Sequence, residues 1–443
     1  MRHLGTVVLA LAAALSAGGA RGWSGHALCT WQALSVMPQV NQPRVRVETL
    51  EAFLSAQAPR VQAALDEAET WARANVPDYA ARPDALAFRV DAAAPDLRAR
   101  FLNALRINPA ARLPLFVQLR PGNVGHATLA WERITTLKGG AGAREHRFAA
   151  LEPGDELPAL EVVATASNEP DYGLDLGLWD DSHAEVAPRF GFGRQPFGNP
   201  AVTYSGQAPF HMGFFHESRI VYLAAGFLKR TYPELRVQQF SALARVAFAQ
   251  GHAYWGWRFT GWALHYVQDL TQPYHARVLP GVSTARMLWI NALDKVGSEQ
   301  AKNDAINLVT NRHTVVEAYQ FRRMQRAYER SDYTDLLLVA LRDDASDDQH
   351  RVYQPSSTRQ RVALESAAAA DELDAQLART FPASYVSDPK VVISGDTPMP
   401  DLHALLSQGP QAEHDELAKQ LARLLGNLGR HSRALVRAIL GLS

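Results

Sequence analysis

Two candidate metal ligands interrupt an apolar helical stretch in residues 261–275. His265 and Asp269 are four residues apart with apolar and aromatic neighbours, and on a helix this spacing places both side chains on one face. Pro273 disfavours helical geometry in the residue before it, so we expect the helix to end there and His275 to come from a turn. Burying a carboxylate without a partner is costly, and a metal ion is a partner that also suits histidine. The segment therefore predicts a mainly helical fold with a buried metal site.

The cysteine and histidine content limits what this site can be. The chain has one cysteine, Cys29, and fifteen histidines. A single cysteine excludes an intramolecular disulfide and argues against a cysteine-rich zinc site. Cys29 lies in an apolar helical pattern, where we expect an inert buried thiol. Any metal site must therefore be built from imidazoles and carboxylates.

The charge balance argues against a basic nucleic-acid-binding protein. The chain has 45 Lys and Arg residues and 45 Asp and Glu residues, so its formal net charge is zero. No strong net field attracts it to nucleic acid or to an anionic membrane. At 47% hydrophobic residues, the chain can still bury a large core.

Further candidate ligands are distributed along the chain. His313 and Glu317 are again four apart, in a helix predicted from residue 303 to about 328, and residues 169–173 offer a carboxylate in a turn. The full set is an N-terminal amine, His26, Asp171, His211 or His216, His265, Asp269, His275, His313 and Glu317. Imidazole and carboxylate ligands without thiolate favour zinc sites with open coordination positions. Nine such groups are too many for one ion and suit a cluster.

The first 22 residues have the order of a secretory signal peptide. A basic start precedes the apolar residues 6–15 and the small residues 16–19. A cut before Trp23 would expose an amine next to its own carbonyl, and this pair can chelate a metal; a cut one to three residues earlier is the alternative. No other stretch reaches about 18 consecutive apolar residues. We expect an exported protein, secreted or periplasmic.

The remaining sequence predicts a mainly α protein with one irregular region. Helical apolar spacing runs over residues 26–81 and 209–338, and two Ala- and Leu-rich helices are expected within 360–443. Residues 82–168 differ, because short runs at 86–90 and 160–164 between Pro- and Gly-containing breaks predict some strand. We predict three parts: a signal peptide at 1–22, a domain at 23–340 with an insertion at about 82–168, and a helical C-terminal extension at 341–443.

The ligand motifs resemble those of a known superfamily, which contains the bacterial zinc-dependent phospholipases C and the single-strand-specific zinc nucleases of fungi and plants. The similarity covers about residues 23–45 and 169–325. It is carried by Leu264-His-Tyr-x-x-Asp269-x-x-Gln-Pro-x-His275-Ala276, His313-x-x-x-Glu317, and Trp23 followed by Gly25-His26-Ala27. The resemblance implies a multi-helical phospholipase C/nuclease-like domain with three zinc ions.

The resemblance also implies how the ligands divide among the three ions. The first ion would be held by Asp171, His211, His265 and Asp269; the second by Trp23 through its amine and carbonyl, His26 and bridging Asp269; the third by His275, His313 and Glu317. His211 is preferred over His216 because the family places this histidine before its helix. Asp171 is preferred over Asp175, Asp180 and Asp181. We expect His183 and His252 to be ordinary hydrogen-bonded histidines.

The implied activity is hydrolysis of a phosphoric ester by metal-activated hydroxide, which requires no side-chain nucleophile. Asp171 would be the catalytic residue, a general base, as has been proposed for its family counterpart. Glu317 is phospholipase-like, since the nucleases use Asp there, and the absence of disulfides also fits the phospholipases. We therefore expect a phospholipase C acting on glycerophospholipids, in contact with a membrane surface and without an obligate protein partner.

Two alternatives to a phospholipase C stay open. Gly25-His26-Ala27 is nuclease-like, which keeps a single-strand nuclease or 3′-nucleotidase, acting on nucleic acid, as the first alternative. The second is a non-catalytic relative that binds metal or lipid. His313 lies 38 positions after His275. This separation is longer than in the phospholipases or the nucleases, and it leaves the substrate specificity open.

The C-terminal segment, from Leu417 to Leu440, has the pattern of a basic amphipathic helix. Such a helix can attach to a lipid surface, or it can cover the domain with its cations in water. The second interpretation is preferred.

Overall fold

The computed structural model describes residues 23, 25–90, 96–123, 125, 128–137, 146–182, 184–198, 203–350, 352–391, 393 and 409–442. The predicted signal peptide and His183 lie outside the described residues. The described part is mainly helical, which confirms the predicted fold class. None of its helices has a stretch both long and apolar enough to cross a bilayer.

The N-terminal half combines helices with two small sheets. Its elements are α1 (His26–Ser35), α2 (Pro38–Asn41), β1 (Arg44–Arg46), α3 (Leu50–Asn75), α4 (Leu97–Leu105), β2 (Phe116–Gln118), β3 (Phe148–Ala150), β4 (Glu156–Pro158), α5 (Ala159–Ser167) and α6 (Ala208–His211). Both sheets are antiparallel pairs, β1 with β4 and β2 with β3. In the first pair Val45 lies opposite Leu157, and in the second Val117 lies opposite Ala149.

The C-terminal half is helical throughout its described residues. Its elements are α7 (Arg219–Ala224), α8 (Pro233–Ala249), α9 (Ala253–Asp269), α10 (Pro273–Ala276), α11 (Thr284–Lys295), α12 (Gln300–Glu329), α13 (Leu336–Arg342), α14 (Leu364–Thr380), α15 (Ala383–Val386) and α16 (Gln411–Leu440). Short 3-10 turns lie between several helices of both halves: Pro170–Tyr172 and Thr203–Gln207 lie between α5 and α6, and Gly226–Lys229 lies between α7 and α8.

The strand predictions within residues 82–168 are wrong in detail. Residues 160–164 belong to helix α5, and residues 84–86 form a 3-10 turn that no strand follows up to residue 90. Helix α5 packs between α1 and α9, so nearly all of its side chains are buried. A helix buried on all sides is apolar all round and lacks the periodicity that distinguishes a helix from a strand. The small strands of this region lie at other positions.

Helix α9 is the central element of the core. It packs against α8, α5 and α16, and all of its residues from Tyr254 to Asp269 are buried. Gly261 permits the contact with α5, because a Cβ atom there would lie 2.6 Å from the carbonyl oxygen of Val163. The helix ends at Asp269, and three residues separate it from the next helix, which begins at Pro273. The predicted helix end before the proline is confirmed.

The C-terminal helix α16 packs into the protein. It contacts α1, α9, α13 and α14, and its leucines, including Leu417, Leu421 and Leu425, are buried. Arg433 is also buried and binds Asp347 through two nitrogens, at 2.7 and 2.8 Å. The apolar side of α16 is therefore occupied by protein, in agreement with the preferred interpretation of this segment as a covering helix.

Candidate metal centre

Five buried side chains from four separate segments form one group of possible ligands, which we call the five-ligand cluster. They are His26 at the start of α1, Asp171 in the turn Pro170–Tyr172, His211 at the end of α6, and His265 and Asp269 on α9. The possible ligand atoms of His26, His265 and Asp269 lie within 4.8 Å of one another, and so do those of Asp171, His211 and His265. His265 of α9 is thus shared by both triplets, and Asp269 belongs to the first.

A second group, the three-ligand cluster, consists of His275, His313 and Glu317. Their ligand atoms also lie within 4.8 Å of one another, and all three side chains are buried. His313 and Glu317 lie one turn apart on α12, while His275 comes from the single turn α10. His275 Nδ1 is 3.9 Å from Asp269 Oδ1, so the two clusters are adjacent.

Hydrogen bonds fix the orientation of several imidazole rings. His265 Nδ1 lies 2.8 Å from the carbonyl oxygen of Ser167, and His275 Nδ1 lies 2.9 Å from that of His211. A carbonyl oxygen can only accept a hydrogen bond, so Nδ1 of each of these two rings carries the proton and donates. Nε2 of each ring is then turned towards the clusters. His26 Nδ1 lies 2.9 Å from Gln268 Oε1, which leaves its Nε2 3.3 Å from Asp269 Oδ1. Metal-binding histidines are typically held in this way through their second nitrogen.

Several possible metal-ligand atoms of the two clusters have no hydrogen-bond partner although they are buried. They are His26 Nε2, both carboxylate oxygens of Asp269, His275 Nε2 and His313 Nε2. His211 Nδ1 is 2.8 Å from Asp269 Oδ2, but this contact lacks hydrogen-bond geometry. Buried polar groups without partners are costly. A divalent ion satisfies several of them at once, so the residues present fit a metal centre.

Two buried ion pairs hold the ligands in place. Arg258 of α9 donates two hydrogen bonds of 2.8 Å to Glu169, which attaches the turn that carries Asp171 to the helix that carries Asp269. Arg236 of α8 binds Asp175.

Asp175 links its ion pair to a histidine of the five-ligand cluster. It accepts a hydrogen bond of 2.7 Å from the Tyr266 hydroxyl, and its Oδ2 lies 3.4 Å from His211 Nε2. The carboxylate thus directs the other nitrogen of His211 towards Asp269. Asp175 is a neighbour of the ligands rather than a ligand.

The electrostatics of the five-ligand cluster favour ionised carboxylates. Burial raises the pKa of Asp269, but the charges of His265 and His211 outweigh it and hold the pKa well below its usual range. Burial lowers the pKa of His211, yet Asp269 and Asp175 outweigh it and raise the pKa to about 10. The cluster thus binds a proton strongly at a position where a metal would replace it.

The histidines of the three-ligand cluster behave differently. Burial is the main cause that lowers the pKa of His275 and lowers that of His313 well below its usual range. Both imidazoles are therefore neutral at neutral pH, the form in which histidine binds a metal.

The structure brings together all the predicted side-chain ligands. Of their rivals, His216 and Asp181 have other partners, whereas Asp175 lies beside His211. His216 binds the carbonyl oxygen of Arg359, so His211 is the histidine in the cluster. His252 binds Glu48 and Gln57, as expected of an ordinary histidine. Asp181 binds the backbone of Gln195. Cys29 is buried, and burial raises the pKa of its thiol, in agreement with an inert side chain.

Trp23 lies beside the five-ligand cluster. Its indole is fully buried and donates a hydrogen bond of 2.8 Å to the Thr271 hydroxyl, two residues beyond Asp269. Binding of a metal by its amine and carbonyl stays a prediction.

Three residues next to the ligands were not found from the sequence. Asp175 was considered only as a rival of Asp171. Gln268, which precedes Asp269, and Tyr204, which donates a hydrogen bond of 3.0 Å to Asp171 Oδ1, were not considered. Gln268 lies on the ligand helix α9, directly before Asp269, and this position could have indicated it. Tyr204 is 33 residues from Asp171 and carries no local signal.

Comparison with known proteins gives no match: no family model, curated protein or solved structure is similar to this chain. The function of the protein is therefore inferred from the arrangement of its own residues.

Proposed function

We propose that this protein is a secreted zinc-dependent phosphodiester hydrolase, and specifically a phospholipase C that cleaves glycerophospholipids. The observation that carries the proposal is the convergence of eight buried imidazole and carboxylate side chains, from residues 26 to 317, into three triplets, two of which share His265. Imidazole and carboxylate ligands without thiolate suit catalytic zinc rather than closed structural sites. Zinc bound there would supply Lewis acidity and an activated water for attack on a phosphoric ester.

We propose the division of ligands that the resemblance implies. Asp171, His211, His265 and Asp269 would hold one ion, and His26 and Asp269, with the amine and carbonyl of Trp23, a second. His275, His313 and Glu317 would hold the third. Asp269 is suited to bridge two ions, because its two oxygens face His26 and His211 respectively.

Asp171 is placed to act as a general base. Its side chain is 9% exposed, whereas those of His26, His265 and Asp269 are fully buried. It is therefore the member of the five-ligand cluster that solvent reaches most easily. Tyr204 donates to Oδ1, so Oδ2 can accept the proton of an attacking water.

Replacing Asp171 with Asn tests this role. The amide keeps one oxygen as a possible ligand but is a poor base. We expect turnover to be abolished while zinc content, measured by elemental analysis, stays that of the wild type. Normal turnover with full zinc content would refute the general-base assignment.

Zinc analysis followed by two activity assays tests the proposed function. We expect about three zinc ions per mature chain and hydrolysis of a phosphatidylcholine mimic. His211→Ala should lower both, whereas His216→Ala is the matched control from the same segment and should lower neither. Activity on single-stranded DNA alone would favour a nuclease, the alternative suggested by Gly25-His26-Ala27. Bound zinc without turnover would identify a non-catalytic relative.

A further inference from the structure

Helices α7 and α11 carry large apolar side chains that face solvent. Leu223 is 87% exposed, Ile220 50%, Trp289 47% and Leu288 38%, and Val296, directly after α11, is 79% exposed. We call these five residues the α7–α11 face. Helix α11 buries Met287 and Ile290 on its other side, so it is apolar on both sides. A surface helix in a soluble protein normally presents polar residues to water.

The exposed side chains form stripes on neighbouring helices. Ile220 and Leu223 are three residues apart on α7. Leu288 and Trp289 lie eight and seven residues, about two turns, before Val296, so each set shares a side of its helix. The two helices pack against each other. An exposed apolar patch built from adjacent helices is typical of an interaction surface.

The exposed charges of the helices that carry this face are basic, and Glu299, three residues after Val296, is the nearest exposed acidic residue after α11. In the described side chains of α7, α11 and the turn Gly226–Lys229, the exposed charged residues are Arg219, Lys229 and Arg286. The one acidic side chain of these elements, Asp294, is buried and forms an ion pair of 2.6 Å with Lys302. The Arg286 guanidinium lies 4.2 Å from the centre of the Trp289 ring. A partner with an apolar interior and an anionic surface would complement this face.

The face is connected to the metal centre by two short segments. α7 begins eight residues after His211, and α11 begins nine residues after His275. The two segments run side by side, because Gly213 N donates to His275 O at 2.8 Å and Val278 N donates to Glu217 Oε1 at 2.9 Å. A surface bound at α7 and α11 is therefore held next to the chain segments that supply both clusters.

We propose that the α7–α11 face docks the protein on the surface of an anionic phospholipid bilayer. Leu223, Leu288 and Val296 enter the region of the acyl chains, Trp289 lies at the headgroup level, and the three cations contact lipid phosphates. The four aliphatic side chains and single aromatic ring fit a bilayer better than single-stranded nucleic acid, which requires several aromatic platforms along a basic groove. The inference deepens the proposed function, on which it rests for the role of the lipid as substrate.

Vesicle flotation with the zinc-loaded protein tests the docking. The Asp171→Asn variant is used as the background, so that the vesicles are not hydrolysed. We expect binding to vesicles of phosphatidylcholine with phosphatidylglycerol. Binding to vesicles of phosphatidylcholine alone should be weaker by about tenfold or by a larger factor. Leu223→Glu combined with Trp289→Glu should weaken binding about 100-fold, since each change places a charge in the apolar layer. Val352→Glu, at a position 63% exposed elsewhere, is the matched control and should leave binding unchanged.

The outcomes separate the docking from the enzymatic activity. In the wild-type background, the double variant should keep its activity on a water-soluble phosphodiester and lose activity on vesicles. Absence of wild-type binding, or equal binding by the double variant, would overturn the docking whatever the activity. A dimer that the double variant dissociates, or Trp289-dependent binding of single-stranded DNA without vesicle binding, would also overturn it. Vesicle binding by a protein that hydrolyses no phosphodiester would leave the docking intact and refute the proposed function.

Discussion

The five-ligand and three-ligand clusters lie side by side but are built in different ways. The first gathers ligands from α1, α6, α9 and a 3-10 turn, whereas the second needs only α10 and α12. Each is supported by a buried carboxylate that accepts a hydrogen bond from a tyrosine hydroxyl and forms an ion pair with an arginine. In the five-ligand cluster Asp175 fills this role and lies within reach of a ligand, His211.

In the three-ligand cluster the carboxylate acts at one remove. Asp374 pairs with Arg312 and accepts a hydrogen bond from the Tyr274 hydroxyl, and the Tyr274 ring stacks on His313 at 5.3 Å. The five-ligand cluster therefore depends on long-range electrostatics, whereas the three-ligand cluster depends on local helix geometry and ring packing.

Removal of one ligand from each cluster should show the largest difference. In the proposed division Asp269 would bind two ions and His313 one, so we expect Asp269→Ala to lose about two zinc ions and His313→Ala about one. Because metal ions contribute several kcal/mol of transition-state stabilisation, kcat/KM should fall about 10³-fold or more in either variant. Elemental analysis and kinetics on a soluble phosphodiester measure both effects. Equal zinc loss in the two variants would contradict bridging by Asp269.

Replacement of the supporting carboxylates should affect the five-ligand cluster more strongly. Asp175→Asn removes the charge beside His211, and partners of this kind contribute about 10–100-fold to metal affinity. Asp374→Asn is the matched change at the three-ligand cluster, where the carboxylate contacts no ligand directly, and should lower affinity less than tenfold. Competition with a chromophoric chelator measures both. A larger effect of Asp374→Asn would reverse the proposed dependence on electrostatics.

The close contact of α9 with α5 should be specific to the five-ligand cluster. Gly261→Ala forces a Cβ atom against the Val163 carbonyl, next to the Ser167 carbonyl that orients His265. We expect a loss of about 1–3 kcal/mol in unfolding free energy and earlier loss of zinc from the five-ligand cluster under chelation. Gly426→Ala is the control, since this helical glycine has its nearest neighbour at 3.7 Å and should gain about 0.5–1 kcal/mol. Denaturant titration of the two variants decides between these outcomes.

The pH dependence of zinc binding should also distinguish the clusters. The pKa of His211 is raised to about 10, so zinc must displace its proton, and affinity of the five-ligand cluster should rise by up to about tenfold per pH unit between pH 7 and 9. His275 and His313 have lowered pKa values and are already neutral, so affinity of the three-ligand cluster should be nearly constant over this range. In the metal-free protein, protonated His211 stabilises the fold below about pH 6.5, and this contribution is lost as the pH rises through about 10. Chelator competition at several pH values, with His313→Ala to isolate the five-ligand cluster, provides the measurement. A flat profile for that cluster would contradict a bound proton on His211.

The parts of the site that depend on local geometry could be predicted from the sequence. His265 with Asp269, and His313 with Glu317, are spaced by one helical turn, and a helix alone places each pair together. The end of α9 before Pro273 has the same local origin. The roles of Asp175 and Tyr204 could not be predicted in this way, because their partners are 61 and 33 residues away and packing brings them together.

The fold shows the same limit. The helical class follows from apolar periodicity, but helix α5 was expected to contain a strand because its burial on all sides removes that periodicity. The C-terminal helix has the composition of a membrane-surface helix, yet its leucines cover α1, α9 and α13. Five exposed apolar residues lie instead on α7, on α11 or directly after α11, where no amphipathic pattern marked them.

The side-chain amide of Gln268 joins the two extremities of the described chain. It lies 2.9 Å from His26 Nδ1, and it donates to Thr30 and to Ser432 at 2.9 and 3.2 Å. During synthesis the ribosome makes Ser432 more than 400 residues after His26, so this contact is among the last that a nascent polypeptide can form. A product that stalls before α16 therefore lacks one of the contacts that hold Gln268 against His26.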